Sequence, residues 1–93
     1  MKEPLSPSSV KKLLIAILLT GGVLSFTKHA YAEMAADNLT EADVRNVLRG
    51  GVARAGEFVK GSWRYRVETN SIAVVVAFRS ETRVVVVTTW RKR

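Results

Sequence analysis

Cysteine is absent from this chain, and histidine occurs once. No disulfide can staple the fold, and a single imidazole cannot build a zinc site. The sequence also lacks a glycine-rich phosphate loop ahead of a helix, the serine elbow of hydrolases and a recognisable pair of catalytic carboxylates. Gly21-Gly22 and Gly50-Gly51 read instead as helix ends. There is no internal repeat and no low-complexity block. The apolar run near the amino end, Leu13 to Leu19, is too short for a bilayer, which takes roughly 20 apolar residues. These absences exclude disulfide-stapled, structural-zinc and P-loop classes, and they imply neither a metal nor a cofactor.

What the chain has is positive charge. It carries a formal net charge of +7 over 93 residues, enough length for one small domain. In the last third, Arg64, Arg66, Arg79, Arg83, Arg91, Lys92 and Arg93 face only Glu68 and Glu81. A basic segment of this kind suits RNA, DNA or an acidic protein partner, and its plainer alternative is solubility.

The amino-terminal third supports two incompatible readings. Ala30-Tyr31-Ala32 fits the small-x-small site of a secretory signal, with Lys11-Lys12 and the apolar run upstream. Cleavage after Ala32 would leave a secreted or periplasmic domain too short to be stable without a staple or a partner. Against this, the apolar run meets Thr20-Gly21-Gly22, and Lys28-His29 precede the supposed cleavage site. Pro7 stands behind a Ser6 N-cap, and Gly21 has the place of a C′ glycine. The preferred reading is a single cytoplasmic domain over residues 1–93. Residues 1–22 form a helix of that domain, and 23–91 form its core.

The pattern predicts helices from about Pro7 to Thr20, Lys28 to Asp37 behind a Thr27 cap, and Glu41 to Gly50. The third opens on a Thr40–Asp43 capping box with a Leu39–Val44 staple. Val23 to Phe26 is a short extended piece, and 52–62 is a loop or irregular edge. From Trp63 the alternation is β. Trp63, Tyr65 and Val67 take one face, and Arg64, Arg66 and Glu68 take the other. A turn at Asn70-Ser71 pairs Val67 with Val74 and Tyr65 with Val76, so apolar residues meet apolar residues. A loop at Ser80-Glu81-Thr82 pairs Phe78 with Val84 and Val76 with Val86. Continued without a break, the phase puts Trp90 on the apolar face and Thr89 and Arg91 on the arginine face. The fold class is α+β: two to three amino-terminal helices on one face of a small carboxy-terminal antiparallel sheet.

Two kinds of residue can carry chemistry. His29 begins its helix, where the positive dipole end disfavours imidazolium and a neutral ring can act as a base. Glu33, at i+4, can orient it, although a lone histidine more often simply caps or packs. Arg64 and Arg66 are roughly 6.6 Å apart on one strand face, and guanidinium groups grip phosphate in bidentate fashion. With Arg91 and His29 they form the candidate catalytic set, and Arg79, Arg83, Thr89 and Lys92 extend it as RNA-binding positions. A solvated sheet face is the competing explanation. Trp63 and Tyr65 read as core rather than as base-stacking platforms.

The order Phe26-Thr27-Lys28-His29-Ala30, Met34, Leu39-Thr40-Glu41-Ala42-Asp43-Val44 and Val47-Leu48-Arg49-Gly50-Gly51 resembles the bacterial family known as domain of unknown function 4258. So do Gly61 to Val67, Ile72 to Ala77 and Val84 to Trp90. The opening Val10-Lys11-Lys12-Leu13 with Gly22-Val23, and the terminal Thr89-Trp90-Arg91-Lys92, look like the MqsR family of toxin ribonucleases. The chain departs from that family in having no lysine between Ile72 and Phe78 and no glutamine after Trp63. The resemblance implies the related RelE-like ribonuclease fold, with chemistry on the exposed sheet face, and a toxin-like, metal-independent mRNA endoribonuclease acting on RNA, free or on the ribosome. It also implies a cognate antitoxin with a zinc-binding part. A non-catalytic basic binding module and a small secreted protein are the rival expectations.

Overall fold

Each helix begins where its capping chemistry dictates. In the computed structural model, which describes residues 1–93, α1 spans Pro7–Leu19, with Ser6 accepting from the Ser9 N–H and proline in the first turn. Its end is set by Thr20 and by Gly21 at φ 79°, a left-handed conformation that glycine takes freely. α2 spans Lys28–Ala36 behind Thr27, and α3 spans Glu41–Gly50 behind a complete Thr40–Asp43 capping box. Leu39 and Val44 of the predicted staple are both buried. The Thr40 backbone N–H, donated to the Asp43 carboxylate, holds that carboxyl below its ordinary pKa.

Between and after the helices lie β1 (Val23–Phe26), β2 (Val52–Ala53), β3 (Glu57–Val59), β4 (Ser62–Glu68), β5 (Ile72–Ser80) and β6 (Arg83–Arg91). They form one six-stranded sheet in the order β1-β6-β5-β4-β2, with β3 pairing the other end of β4. The architecture is α+β, with the helices early in the chain and most of the sheet late. The sheet is mixed rather than purely antiparallel, because β1 runs parallel to β6 from Val23↔Arg83 to Phe26↔Val86. Residues 52–62, expected to be irregular, instead supply two short strands. Lys60 and Gly61, at φ 49° and 82°, close the β3–β4 hairpin with the two positive φ values that such a turn takes. Before β3, Gly56 lies so close to the Tyr65 ring that a Cβ would meet Cε1 at 2.6 Å, so only glycine fits.

One face of the sheet meets the helices in a single core. Val10, Leu14 and Ile17 of α1, Ala30 and Met34 of α2, and Val44, Val47 and Leu48 of α3 pack on Tyr65, Val67, Val74, Val76, Phe78, Val84 and Val86. Of the apolar run near the amino end, Leu14 and Ile17 are in this core and Leu13 and Leu18 pack partly against it, while Ile15 and Leu19 are exposed. No helix is long and apolar enough to cross a membrane. Two further ties hold the first residues. The Tyr65 hydroxyl donates to the Glu3 carboxylate at 2.7 Å and accepts from the Leu5 N–H at 3.0 Å. Burial is the main cause pushing its pKa up to about 12. Lys11 donates to the Leu48 and Arg49 carbonyls at 2.7 Å each, where α3 leaves its last acceptors open. Burial lowers the pKa of that ammonium.

Both β-hairpin registers expected between β4 and β6 are present near their turns, including Val67↔Val74, Tyr65↔Val76, Val76↔Val86 and Phe78↔Val84. The phase then changes. Val76 pairs with Val86, but Val75 pairs with Thr88, so Val87 is an extra residue in β6. A single inserted residue reverses every side chain beyond it. Thr89 falls opposite Val74 and is fully buried, with its hydroxyl donating to the Ala73 carbonyl at 2.8 Å. Trp90, opposite Ala73, turns to the open face, and Arg91 turns to the helix side. The face assignments expected for Thr89, Trp90 and Arg91 are all corrected by this bulge.

Candidate functional site

The open face gathers its cleft around β4. Arg64 and Arg66 alternate with the buried Tyr65 and Val67, so they project away from the core. Arg54 and Ala55, which connect β2 to β3, form one wall with Glu57 and Val59. Val75 of β5 and Thr88 and Trp90 of β6 complete a cleft of about 280 Å³. Glu57 stands opposite Arg64 in the β3–β4 pair. Trp90 has its place in the wall because of the bulge.

The charges in and beside this cleft differ in how far they are already paired. The Glu68 side chain is only 9% exposed, and it accepts from Arg54 Nε at 2.6 Å and Lys92 Nζ at 2.5 Å, with Arg66 Nε at 3.7 Å. The hydrogen bonds from Lys92 and Arg54 hold its carboxyl at about 2, far below the ordinary value of 4.5. Arg54 and Lys92 thus spend their charge on Glu68. Arg64 is different: its Nε is buried and has no hydrogen-bond partner. A buried donor on a charged group without an acceptor costs about 1–3 kcal/mol or more. Arg64 also lines the cleft without an ion pair, so its guanidinium charge is not already matched by a carboxylate.

The other expected site residues are dispersed. His29 lies in the first turn of α2, whose Ala30 and Met34 enter the core, so it belongs to the helix layer on the opposite side from Arg64 and Arg66. Its ring is well exposed, with Nε2 4.0 Å from Glu33. Arg91 is a clasp: Nε donates to the Asp37 carbonyl at 3.2 Å, Nη2 to the Asn38 carbonyl at 3.3 Å, and its backbone N–H to the Asp37 carboxylate at 2.8 Å. Arg79 lines a separate hollow with Met1 and Glu3 at the β5–β6 turn. Arg83 is exposed beside β1, outside the cleft. Lys92 borders the cleft through Glu68 and Arg54. Arg54, Glu57 and Trp90 were not among the expected site residues. Glu57 was within reach of sequence reasoning, because Lys60-Gly61 followed by clean alternation marks a hairpin that sets Glu57 opposite Arg64. Trp90 was not, since nothing in Val84-Val85-Val86-Val87 marks the extra residue.

The family described as "Domain of unknown function (DUF4258)" matches residues 26–91. The chain belongs to that family. The DUF4258 match runs from the last residue of β1 to the last of β6, so it contains every residue of the cleft and leaves α1 outside. Comparison with curated proteins and with solved structures finds no match.

Proposed function

We propose that this DUF4258 protein binds RNA in the arginine-lined cleft and cleaves it without a metal, as the toxin half of a cytoplasmic toxin–antitoxin pair. The observation that carries the reading is Arg64, which lines the cleft without an ion pair, with Arg66 two residues along the same face. A phosphodiester offers the Arg64 guanidinium the negative charge that no carboxylate supplies, and the net charge of +7 draws a polyanion toward it. The same two guanidinium groups offset the charge that gathers on phosphorus oxygens as the bond breaks.

Glu57 replaces His29 as the base. It lines the cleft, stands across from Arg64 and has no ion pair in the structure. In the proposed step the ribose 2′-oxygen bonds to phosphorus and gives its proton to the Glu57 carboxylate. The bond from phosphorus to the 5′-oxygen breaks, and that oxygen takes a proton from solvent. Glu57 then returns its proton to solvent. The products are a 2′,3′-cyclic phosphate and a 5′-hydroxyl.

The test is cleavage of RNA, with and without ribosomes, by the purified full chain in excess chelator. Glu57→Gln should slow cleavage by about 100-fold or more, in the range of a lost general base, and leave RNA affinity intact. Arg64→Ala and Arg66→Ala should weaken binding. A second reading, a non-catalytic RNA-binding module, draws support from the placement of His29 and the clasped Arg91, which leave only Glu57 for proton transfer. A folded protein that binds RNA and never cuts it would establish that reading. One that binds no RNA would sink both.

A further inference from the structure

The bulge at Val87 places an aromatic ring in the same cleft as the unpaired guanidinium. Trp90 is half-buried, stands opposite the small Ala73 and has no aromatic partner, unlike Trp63, whose ring centroid is 5.3 Å from that of Phe58. Thr88 and Val75 lie beside it in the cleft, and Arg64 and Arg66 complete the lining. An indole in one cleft with the unpaired Arg64 guanidinium and with Arg66 matches the two ends of a nucleotide. The base has a π-face for the indole, and the phosphate has oxygens for the guanidinium.

The geometry points to a subsite for one unstacked nucleotide of single-stranded RNA, with its base on the Trp90 indole and its phosphate on Arg64 and Arg66. This rests on the RNA-binding reading and narrows it. A cleft of about 280 Å³ accommodates a single nucleotide moiety and not a helix. An A-form duplex keeps its bases stacked inside and presents backbone and 2′-hydroxyls, so it reaches the arginines but not the indole. Stacking is tolerant of base identity, since every base has a π-face, so the subsite selects for strandedness rather than for sequence.

The experiment uses the full chain and two probes with 2′-O-methyl riboses, which lack the attacking hydroxyl: an unstructured single strand and a closed hairpin duplex. In a Trp63→Phe background, emission reports Trp90 alone, since the chain has two tryptophans. The single strand should quench that emission and the duplex should not. Trp90→Ala should weaken single-strand binding by about 5- to 150-fold, the range measured for one lost stacking contact. Trp90→Phe should keep most of the affinity and guards against loss of fold. Equal quenching by both probes, or a Trp90→Phe protein that binds both probes equally, would overturn the subsite. If Arg64→Ala and Arg66→Ala abolish binding while Trp90→Ala and Trp90→Phe change nothing, stacking fails and RNA binding stands. If neither probe binds the parent protein, both proposals fall.

Discussion

Two adjacent lysine substitutions test the bulge, because the two possible phases of β6 predict opposite outcomes. Without the extra residue, Thr88 would face the core and Thr89 the arginine face. In the structure Thr89 is fully buried on Ala73, and Thr88 lines the cleft. Thr89→Lys should therefore bury an uncompensated ammonium, a change that costs about 3–5 kcal/mol. A domain of this size holds roughly 5–15 kcal/mol in total. Since each kcal/mol lowers Tm by about 4–8 °C at this length, the drop should be roughly 12–40 °C. Thr88→Lys can keep its ammonium in solvent, and its melting point should stay close to that of the parent. Thermal and urea unfolding, followed by circular dichroism, give both numbers. A Thr89→Lys protein that melts like the parent, beside a Thr88→Lys protein that unfolds, would refute the bulge and remove Trp90 from the cleft.

Three further outcomes follow from other contacts. Leu14→Ala should cost about 2–5 kcal/mol in urea unfolding because Leu14 is fully buried, whereas Leu19→Ala, at 70% exposure, should stay within about 0.5 kcal/mol; equal losses would mean that α1 does not pack as described. Arg91→Ala should lower stability by about 1 kcal/mol through its lost bonds to the Asp37 and Asn38 carbonyls and leave RNA affinity unchanged, the reverse of Arg66→Ala. Glu68 has a folded pKa of about 2 against an ordinary 4.5, so protonation favours the unfolded chain. Its contribution to stability should be complete above about pH 5 and lost as the pH falls toward 2. Glu68→Gln should flatten that acid limb of the stability profile, and an unchanged limb would remove the Arg54–Glu68–Lys92 cluster as its cause.

The helices were legible because their ends are written in local chemistry. Ser6-Pro7, Thr27, Thr40 with Asp43, and Gly21 each act within a few residues of themselves, and each does what its type favours. The β4–β5 register was legible because a two-residue turn at Asn70-Ser71 sets Val67 opposite Val74 and Tyr65 opposite Val76. The open face of β4 was legible from its own alternation, so Arg64 and Arg66 lie where that alternation puts them. Parallel pairing of β1 was not legible, since Val23 to Phe26 says nothing of its partner across nearly sixty intervening residues. The strands within 52–62 were hidden by their shortness. The end of β6 was hidden by its uniformity: four valines in a row carry no phase, and every assignment beyond them depends on a phase.

The residue that holds the hidden phase change does appear in the sequence, in another role. Thr27 caps α2 by accepting from the Ala30 N–H at 3.0 Å. The same hydroxyl donates to the Val87 carbonyl at 2.8 Å, and the Thr27 backbone N–H donates to the Val86 carbonyl at 3.0 Å. The carbonyls of two successive residues, which in a regular strand point to opposite sides, are thus both taken by one residue at the end of β1. This pair of bonds fits the bulge at Val87, one from the Thr27 backbone and one from its side chain. The start of α2 and the phase of β6 are therefore one device. It aims Arg91 at Asp37, buries Thr89 and turns Trp90 to the open face. The proposed site depends on it directly, because the arginines come from β4 by simple alternation, whereas the aromatic wall beside them comes from a threonine sixty residues earlier in the chain.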